Sequence, residues 1–131
     1  MKRLIVFLLV STICFTFVVP PVSANSLYGS IITPDEALDC GVWAYTPYQS
    51  GTSVVGLAEV SCASKHSSIR VVAGLRDSAG RYNSTSKTCY NTSTCQVSTT
   101  LSYIGPRTWQ TDVSGYVSSW NAYLLGYQIT F

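Results

Sequence analysis

The sequence predicts an all-β fold, a small antiparallel two-sheet sandwich held by two disulfides. Three observations support this prediction. Apolar and polar residues alternate along several short runs, which is the period of a half-buried strand. Turn-forming residues separate these runs about every ten positions. Four cysteines lie downstream of the apolar N-terminal segment, an even number that suits paired bonding.

The N-terminus has the pattern of a secretory signal peptide, residues 1–24. Two basic residues precede an apolar run over residues 4–19, and small residues occupy the positions before the expected cleavage site at Ala24. Cleavage there leaves a single secreted domain over residues 25–131. The alternative is an uncleaved anchor, which would need about 20 apolar residues.

The predicted domain carries almost no net charge. The chain has 8 Lys and Arg against 6 Asp and Glu, and the excess consists of Lys2 and Arg3 in the signal peptide. Such a domain lacks the positive electrostatic potential that attracts nucleic acids. We therefore expect no nucleic-acid partner, no membrane insertion after signal cleavage, and a monomer.

The four cysteines of the domain allow three disulfide connectivities. We predict Cys89–Cys95, which closes a short loop, and Cys40–Cys62, which joins the first strand to the next. A zinc site is the alternative, but the sequence has no Cys-x-x-Cys spacing and exported proteins oxidise their thiols. No metal or other cofactor is expected.

The apolar runs at residues 54–62 and 68–76 are predicted to form the central hairpin. Val60 and Cys62 share a face in the first run, whereas Ile69 and Val71 alternate with Arg70 in the second. The polar segment between the runs is predicted to be the hairpin loop. The other strands are predicted at residues 40–46, 81–90, 95–103, 107–117 and 122–131.

Two further features complete the predicted fold. The strand at residues 81–90 is dense in Asn, Ser and Thr, which suits a sheet edge. Thr33, Pro34 and Glu36 form a capping-box pattern, which predicts one helical turn ending near Leu38. Seven short strands at this spacing are typical of an immunoglobulin-like or fibronectin-like sandwich. A small closed barrel is the alternative.

The candidates for catalysis are few. His66 lies in the predicted hairpin loop, and no Gly-x-Ser-x-Gly motif accompanies it. Glu59 with Asp77 or Asp112 would supply the carboxylate pair of a glycoside hydrolase. A cross-strand ion pair with an arginine of the neighbouring strand explains Glu59 without an active site. The chain is therefore not expected to be an enzyme.

Aromatic residues give the main functional signal. The chain has 9 tyrosines and 3 tryptophans, side chains that combine an apolar body with a polar tip. Trp109 and Trp43 are predicted to lie in the core. The residues predicted to be displayed for binding are Tyr45, Tyr48, Tyr116 and Trp120. For Trp120 the alternative is that it folds back over the end of the sandwich.

These observations favour a secreted, non-enzymatic module that binds an extracellular glycan or protein through loop aromatics. A secreted antimicrobial or inhibitory effector is the second hypothesis, and a small extracellular hydrolase is the third. The fold class itself does not decide among them, because function belongs to the site rather than to the fold.

Overall fold

The computed structural model describes residues 26–31, 39–118 and 120–131, and these residues form an all-β fold with no helix among them. The strands of this part of the chain are β1 (Ser26–Ile31), β2 (Cys40–Tyr45), β3 (Tyr48–Ser50), β4 (Ser53–Asp77), β5 (Tyr82–Ser102), β6 (Thr108–Val117) and β7 (Trp120–Thr130). The all-β prediction is confirmed. The predicted signal peptide and helical turn lie outside the described residues. No helix long and apolar enough to cross a membrane occurs within them.

The predicted central hairpin is wrong, because β4 runs through it as one strand of 25 residues. The polar segment at residues 63–67 contains neither glycine nor proline, so nothing in it forces the chain to reverse. Instead the pairing with β5 shifts register between Ser61 and His66. The shift changes which positions of β4 face the core. Before it an even-numbered residue, Val60, is buried, and after it an odd-numbered residue, Ile69, is buried.

The same correction applies to β5, which spans both strands predicted at residues 81–90 and 95–103. It leaves β4 through a turn at residues 78–81 and pairs with it along nearly its whole length. Gly80 has a φ of 87° in this turn, a conformation that favours glycine. β4 therefore forms its long hairpin with β5, and the turn of this hairpin lies near residue 79.

β4 is the central strand of the sheet. One of its edges pairs with β5, while the other pairs with β3 and β2 along its first half and with β6 along its second half. β1 extends β2, and β7 extends β6. The described strands thus belong to one sheet, which curls into a half-barrel. The predicted immunoglobulin-like arrangement of two sheets is not confirmed.

Curling brings the two halves of the sheet face to face. β2 contacts β6 and β7, and β1 contacts β7, although none of these pairs is hydrogen-bonded. Val54 and Leu75, from opposite ends of β4, join Trp109 in one buried cluster. A larger cluster, which includes Val42, fills the other end. The interior position predicted for Trp109 is confirmed, since none of its surface is exposed, whereas Trp43 is half-buried.

Both predicted disulfides are present, Cys40–Cys62 and Cys89–Cys95. Cys40 lies directly opposite Cys62 in the β2–β4 pairing, so the first bond ties two neighbouring strands. In the chain-entropy model, loops of these lengths give about 3.4 and about 2.4 kcal/mol. The disulfides therefore reinforce the sheet where β4 is irregular.

Candidate functional site

Exposed aromatic and polar side chains gather on the outer face of the sheet formed by β5, β4, β6 and β7. Directly paired residues project from the same face, so the register defines this surface. The row nearest the β4–β5 turn consists of Tyr82, Arg76, Gln110 and Gln128. The next two rows hold Gly74, Asp112 and Leu125, then Val72, Ser114 and Tyr123. We call Arg76, Tyr82, Asp112 and Tyr123 the outer patch.

A glycine in the middle of β4 makes room for the centre of this patch. A Cβ atom on Gly74 would lie 2.3 Å from Oδ1 of Asp112 and 2.4 Å from the hydroxyl of Tyr82. Both distances are far below van der Waals contact. The missing side chain allows the Asp112 carboxylate to lie over the β4 backbone, where only 2% of the residue is exposed.

The Asp112 carboxylate is held by an arginine and a tyrosine. Arg76 donates a hydrogen bond from Nη2 to Oδ2 at 2.8 Å, and the Tyr82 hydroxyl lies 3.5 Å from Oδ1. This hydrogen bond to Asp112 is the main reason that the pKa of Arg76 is raised. Burial, followed by the negative charge of Asp112, raises the pKa of Tyr82. With both pKa values raised, Arg76 stays charged and Tyr82 stays neutral at neutral pH.

Two tyrosine rings flank this ion pair. The Arg76 guanidinium carbon lies 5.5 Å from the centre of the Tyr82 ring, a cation–π distance, and Nη2 of Arg76 lies 3.4 Å from the Tyr123 hydroxyl. Tyr82 is 53% and Tyr123 58% exposed. The Nε atom of Arg76 is buried and has no hydrogen-bond partner within the described residues. The outer patch thus presents two solvent-exposed aromatic rings beside polar groups that are held by hydrogen bonds.

Two shallow clefts adjoin Arg76. The first has a volume of about 300 Å³ and is lined by Arg76, Asp77, Gly80, Arg81 and Tyr82. The second has a volume of about 280 Å³ and is lined by Arg76, Asp77, Ser78, Thr108, Gln110 and Gln128. A ligand lying on the outer patch would therefore find concave polar surface at one end.

Asp77, between the clefts, is a structural carboxylate. Its oxygens accept hydrogen bonds from Nε of Arg81 at 2.6 Å, from Nη1 of Arg107 at 3.0 Å, and from the backbone N–H groups of Arg81 and Ala79. Burial alone would raise the pKa of Asp77, but these hydrogen bonds lower it to about 2. The charged carboxylate holds the β4–β5 turn against Arg107 at the start of β6.

The structure does not bring the four predicted binding residues together. Tyr45 and Tyr48 lie beside the first half of β4: the Tyr45 hydroxyl donates to Glu59 at 3.2 Å, and Tyr48 is 49% exposed on β3. Burial, followed by the charge of Glu59, raises the pKa of Tyr45. Tyr45 is therefore half-buried and already hydrogen-bonded, whereas Tyr48 is displayed.

Tyr116 and Trp120 lie beside the second half of β4. Tyr116 pairs with Arg70, whose guanidinium carbon is 5.1 Å from the centre of its ring. Trp120 begins β7 opposite Val117 and is 39% exposed. Tyr116 projects from the same face of β6 as Asp112 of the outer patch. Trp120 follows the register of the opposite, core-side face.

The candidate catalytic residues are also placed differently from expectation. Glu59 accepts bonds from Tyr45 and Gln96, and the predicted ion pair with an arginine is wrong because β4 does not fold into a hairpin. Asp77 and Asp112 bind arginines on the other half of the sheet. These carboxylates do not form a facing pair with Glu59.

His66 is half-buried rather than solvated in a loop. Its Nε2 atom contacts the Asp39 carboxylate, and Ser64 donates to that same carboxylate at 3.1 Å instead of to the imidazole. The serine–histidine hydrogen bond that defines a catalytic triad is therefore replaced by two contacts to one carboxylate. This arrangement lies at the irregular stretch of β4.

Sequence reasoning missed the outer patch because its members lie in strands rather than in turns. Two signals could have found it. Gly74 interrupts an apolar strand, which often marks a close approach by another group. Tyr82 begins a strand whose next positions on the same face, Ser84 and Ser86, are polar, as expected of an outward face.

The fold and site define a disulfide-bonded all-β protein with an aromatic and charged patch on one sheet face. No family model, no curated protein and no solved structure matches the chain.

Proposed function

We propose that the protein is a secreted, non-enzymatic module that binds a neutral glycan through the outer patch. The supporting observation is that Tyr82 and Tyr123, each more than half exposed, flank the Arg76–Asp112 ion pair on one sheet face. This proposal moves the binding aromatics from the loops to the strands. The expected signal peptide and the two disulfides suit an extracellular location.

The chemistry of the patch suits a sugar. A pyranose ring has an apolar face of C–H groups and a rim of hydroxyls, which match a tyrosine ring and charged or amide groups respectively. Gln128 lies exposed in the same row as Arg76 and adds an amide. Because Arg76 and Asp112 neutralise each other, the patch offers hydrogen bonds without a strong net field. A neutral glycan is favoured over a charged one.

Rigidity also favours this surface. The residues of the patch project from four hydrogen-bonded strands, and Asp112 is fixed by Arg76. A preformed site loses less conformational entropy on binding than a mobile loop does. The exposed rings therefore need little reorganisation to stack on a sugar.

Co-sedimentation tests the proposal. The oxidised protein, residues 25–131, would be mixed with insoluble cellulose, chitin, β-glucan and bacterial cell walls. For a polysaccharide that binds, Tyr82→Ala and Tyr123→Ala should each weaken binding about 5- to 10-fold, the effect of losing about 1 kcal/mol of aromatic contact. Tyr48→Ala is the matched control, because Tyr48 is similarly exposed but lies on β3.

Other outcomes point elsewhere. Loss of binding in Tyr48→Ala or Trp120→Ala, with the patch variants unaffected, would restore the loop-aromatic hypothesis. Absence of binding to every polysaccharide would reject the glycan proposal. Growth inhibition by the protein would then support the antimicrobial or inhibitory effector. The immunoglobulin-like sandwich stays a prediction, as does the hydrolase alternative.

A further inference from the structure

Four metal-binding side chains lie together at the irregular stretch of β4. They are Asp39, Cys40, Cys62 and His66, and one donor atom of each lies within 4.8 Å of the others. Nε2 of His66 contacts the Asp39 carboxylate and lies 3.6 Å from Sγ of Cys40. The cluster is separate from the outer patch, so the inference does not depend on the proposed function.

The backbone holds this cluster in place. Cys40 opens β2 directly opposite Cys62, and their Cα atoms are 3.9 Å apart. The N–H of Ala63 donates to the carbonyl of Asp39 at 2.8 Å. The register shift between Ser61 and His66 then brings the histidine back toward Asp39. Residues far apart in the chain thus converge because β4 is irregular here.

We propose that the cluster binds one Zn²⁺ when the Cys40–Cys62 disulfide is reduced. A dithiol reductant supplies two electrons and two protons: the S–S bond breaks, two thiols form, and the dithiol becomes a disulfide. Zinc then displaces both thiol protons. It also takes the place of the direct contact between Nε2 of His66 and the Asp39 carboxylate, so that one nitrogen, one oxygen and two sulfurs surround the ion. This is a donor set that zinc favours.

The geometry requires only a small opening of the bonded pair. Zn–S bonds of about 2.3 Å place two sulfurs of a tetrahedral site about 3.8 Å apart. Disulfide sulfurs are about 2.05 Å apart, so they must separate by roughly 1.7 Å, which side-chain rotation can supply. The site is also sheltered: the side chains of Asp39 and His66 are 8% and 16% exposed, and Cys40 is 2% exposed.

In the oxidised protein the same residues have another role. The sulfurs are bonded to each other and offer no thiolate, while Asp39 accepts bonds from Ser64 and His66. This polar network joins the irregular stretch of β4 to Asp39, just before β2. The redox state of one disulfide therefore selects between a closed polar network and a zinc site.

Cobalt binding provides the test. The Cys89→Ala/Cys95→Ala protein, residues 25–131, retains only the relevant cysteine pair and would be examined oxidised and after phosphine reduction, using Co²⁺ as the probe. The reduced protein should bind one Co²⁺ with thiolate-to-metal charge-transfer bands and tetrahedral visible bands, and Zn²⁺ should displace it. The oxidised protein should show neither spectrum.

Variants distinguish a metal site built from all four donors from metal binding by the two cysteine thiols alone. His66→Ala and Asp39→Asn should each weaken Co²⁺ binding at least about tenfold, whereas Ser67→Ala, at an exposed residue outside the donor set, should bind as the parent does. Equal binding by His66→Ala and the parent would overturn the proposal. A reduced protein whose sheet signal in circular dichroism is lost, and does not return with Zn²⁺, would overturn it as well.

Discussion

The guanidinium of Arg76 lies 2.8 Å from the buried carboxylate of Asp112, directly above a β4 position that has no side chain. The relationship links three levels of structure. Gly74 leaves the space, the β4–β6 register places Asp112 in it, and Arg76 supplies the opposite charge. The two tyrosines of the outer patch lie on either side of this ion pair.

Gly74→Ala should destabilise the protein and disrupt the outer patch. The added methyl would lie within 2.4 Å of both Asp112 and Tyr82, so these side chains must move. We expect a loss of about 1–3 kcal/mol in the free energy of unfolding, typical of an overpacked site. Urea denaturation measures this loss. Ser84→Ala, at the residue paired with Gly74 on β5, is the control and should change stability little. Equal stability of the two variants would show that the close approach is not rigid.

Arg76 and Asp112 should be energetically coupled. Removing the guanidinium leaves a buried carboxylate with fewer partners, and removing the carboxylate leaves Arg76 without its anion. Because the Arg76 side chain is 42% exposed, water screens the pair and the coupling should be about 1 kcal/mol. A double-mutant cycle of Arg76→Met and Asp112→Asn by urea denaturation measures it. Strictly additive effects would argue against coupling.

Asp77 should make the free energy of unfolding depend on pH in the acid range. Its folded pKa is about 2, below the ordinary value of 3.8, because the hydrogen bonds from Arg81, Arg107 and Ala79 outweigh burial. Because the pKa of Asp77 is lower in the folded than in the unfolded state, its charged carboxylate stabilises the fold at pH values above the unfolded pKa. This contribution is lost as the pH falls from about 4 to about 2. Denaturation at pH 7, 4 and 2.5 should show a drop that is reduced in Asp77→Asn. An identical drop in that variant would assign acid sensitivity to other groups.

The two tryptophans Trp109 and Trp120 should differ in their effect on stability. Trp109 is fully buried, so Trp109→Ala should cost about 3–5 kcal/mol or prevent folding. Trp120 is 39% exposed, and Trp120→Ala should cost less than about 1 kcal/mol. Thermal or urea unfolding compares the two. A large loss in Trp120→Ala would mean that its ring covers the end of the half-barrel, as the alternative prediction held.

The local pattern of the chain determined a good part of this fold. Alternating runs predicted strands because one face of each run had to be buried, and the short Cys89–Cys95 spacing favoured the observed disulfide pairing. Trp109 was predicted to be buried because the strands offer few other large apolar side chains. These inferences needed only neighbours within a few residues.

Tertiary structure alone decided where strands continue and which side chains meet. Polar residues 63–67 resemble a loop, yet pairing with β5 satisfies the backbone on both sides of them and extends β4 to Asp77. The register shift in this segment reverses the faces of β4. It also brings His66 to Asp39. Both the outer patch and the cysteine–histidine cluster are cross-strand arrangements, and a strand's sequence does not encode its partner's register.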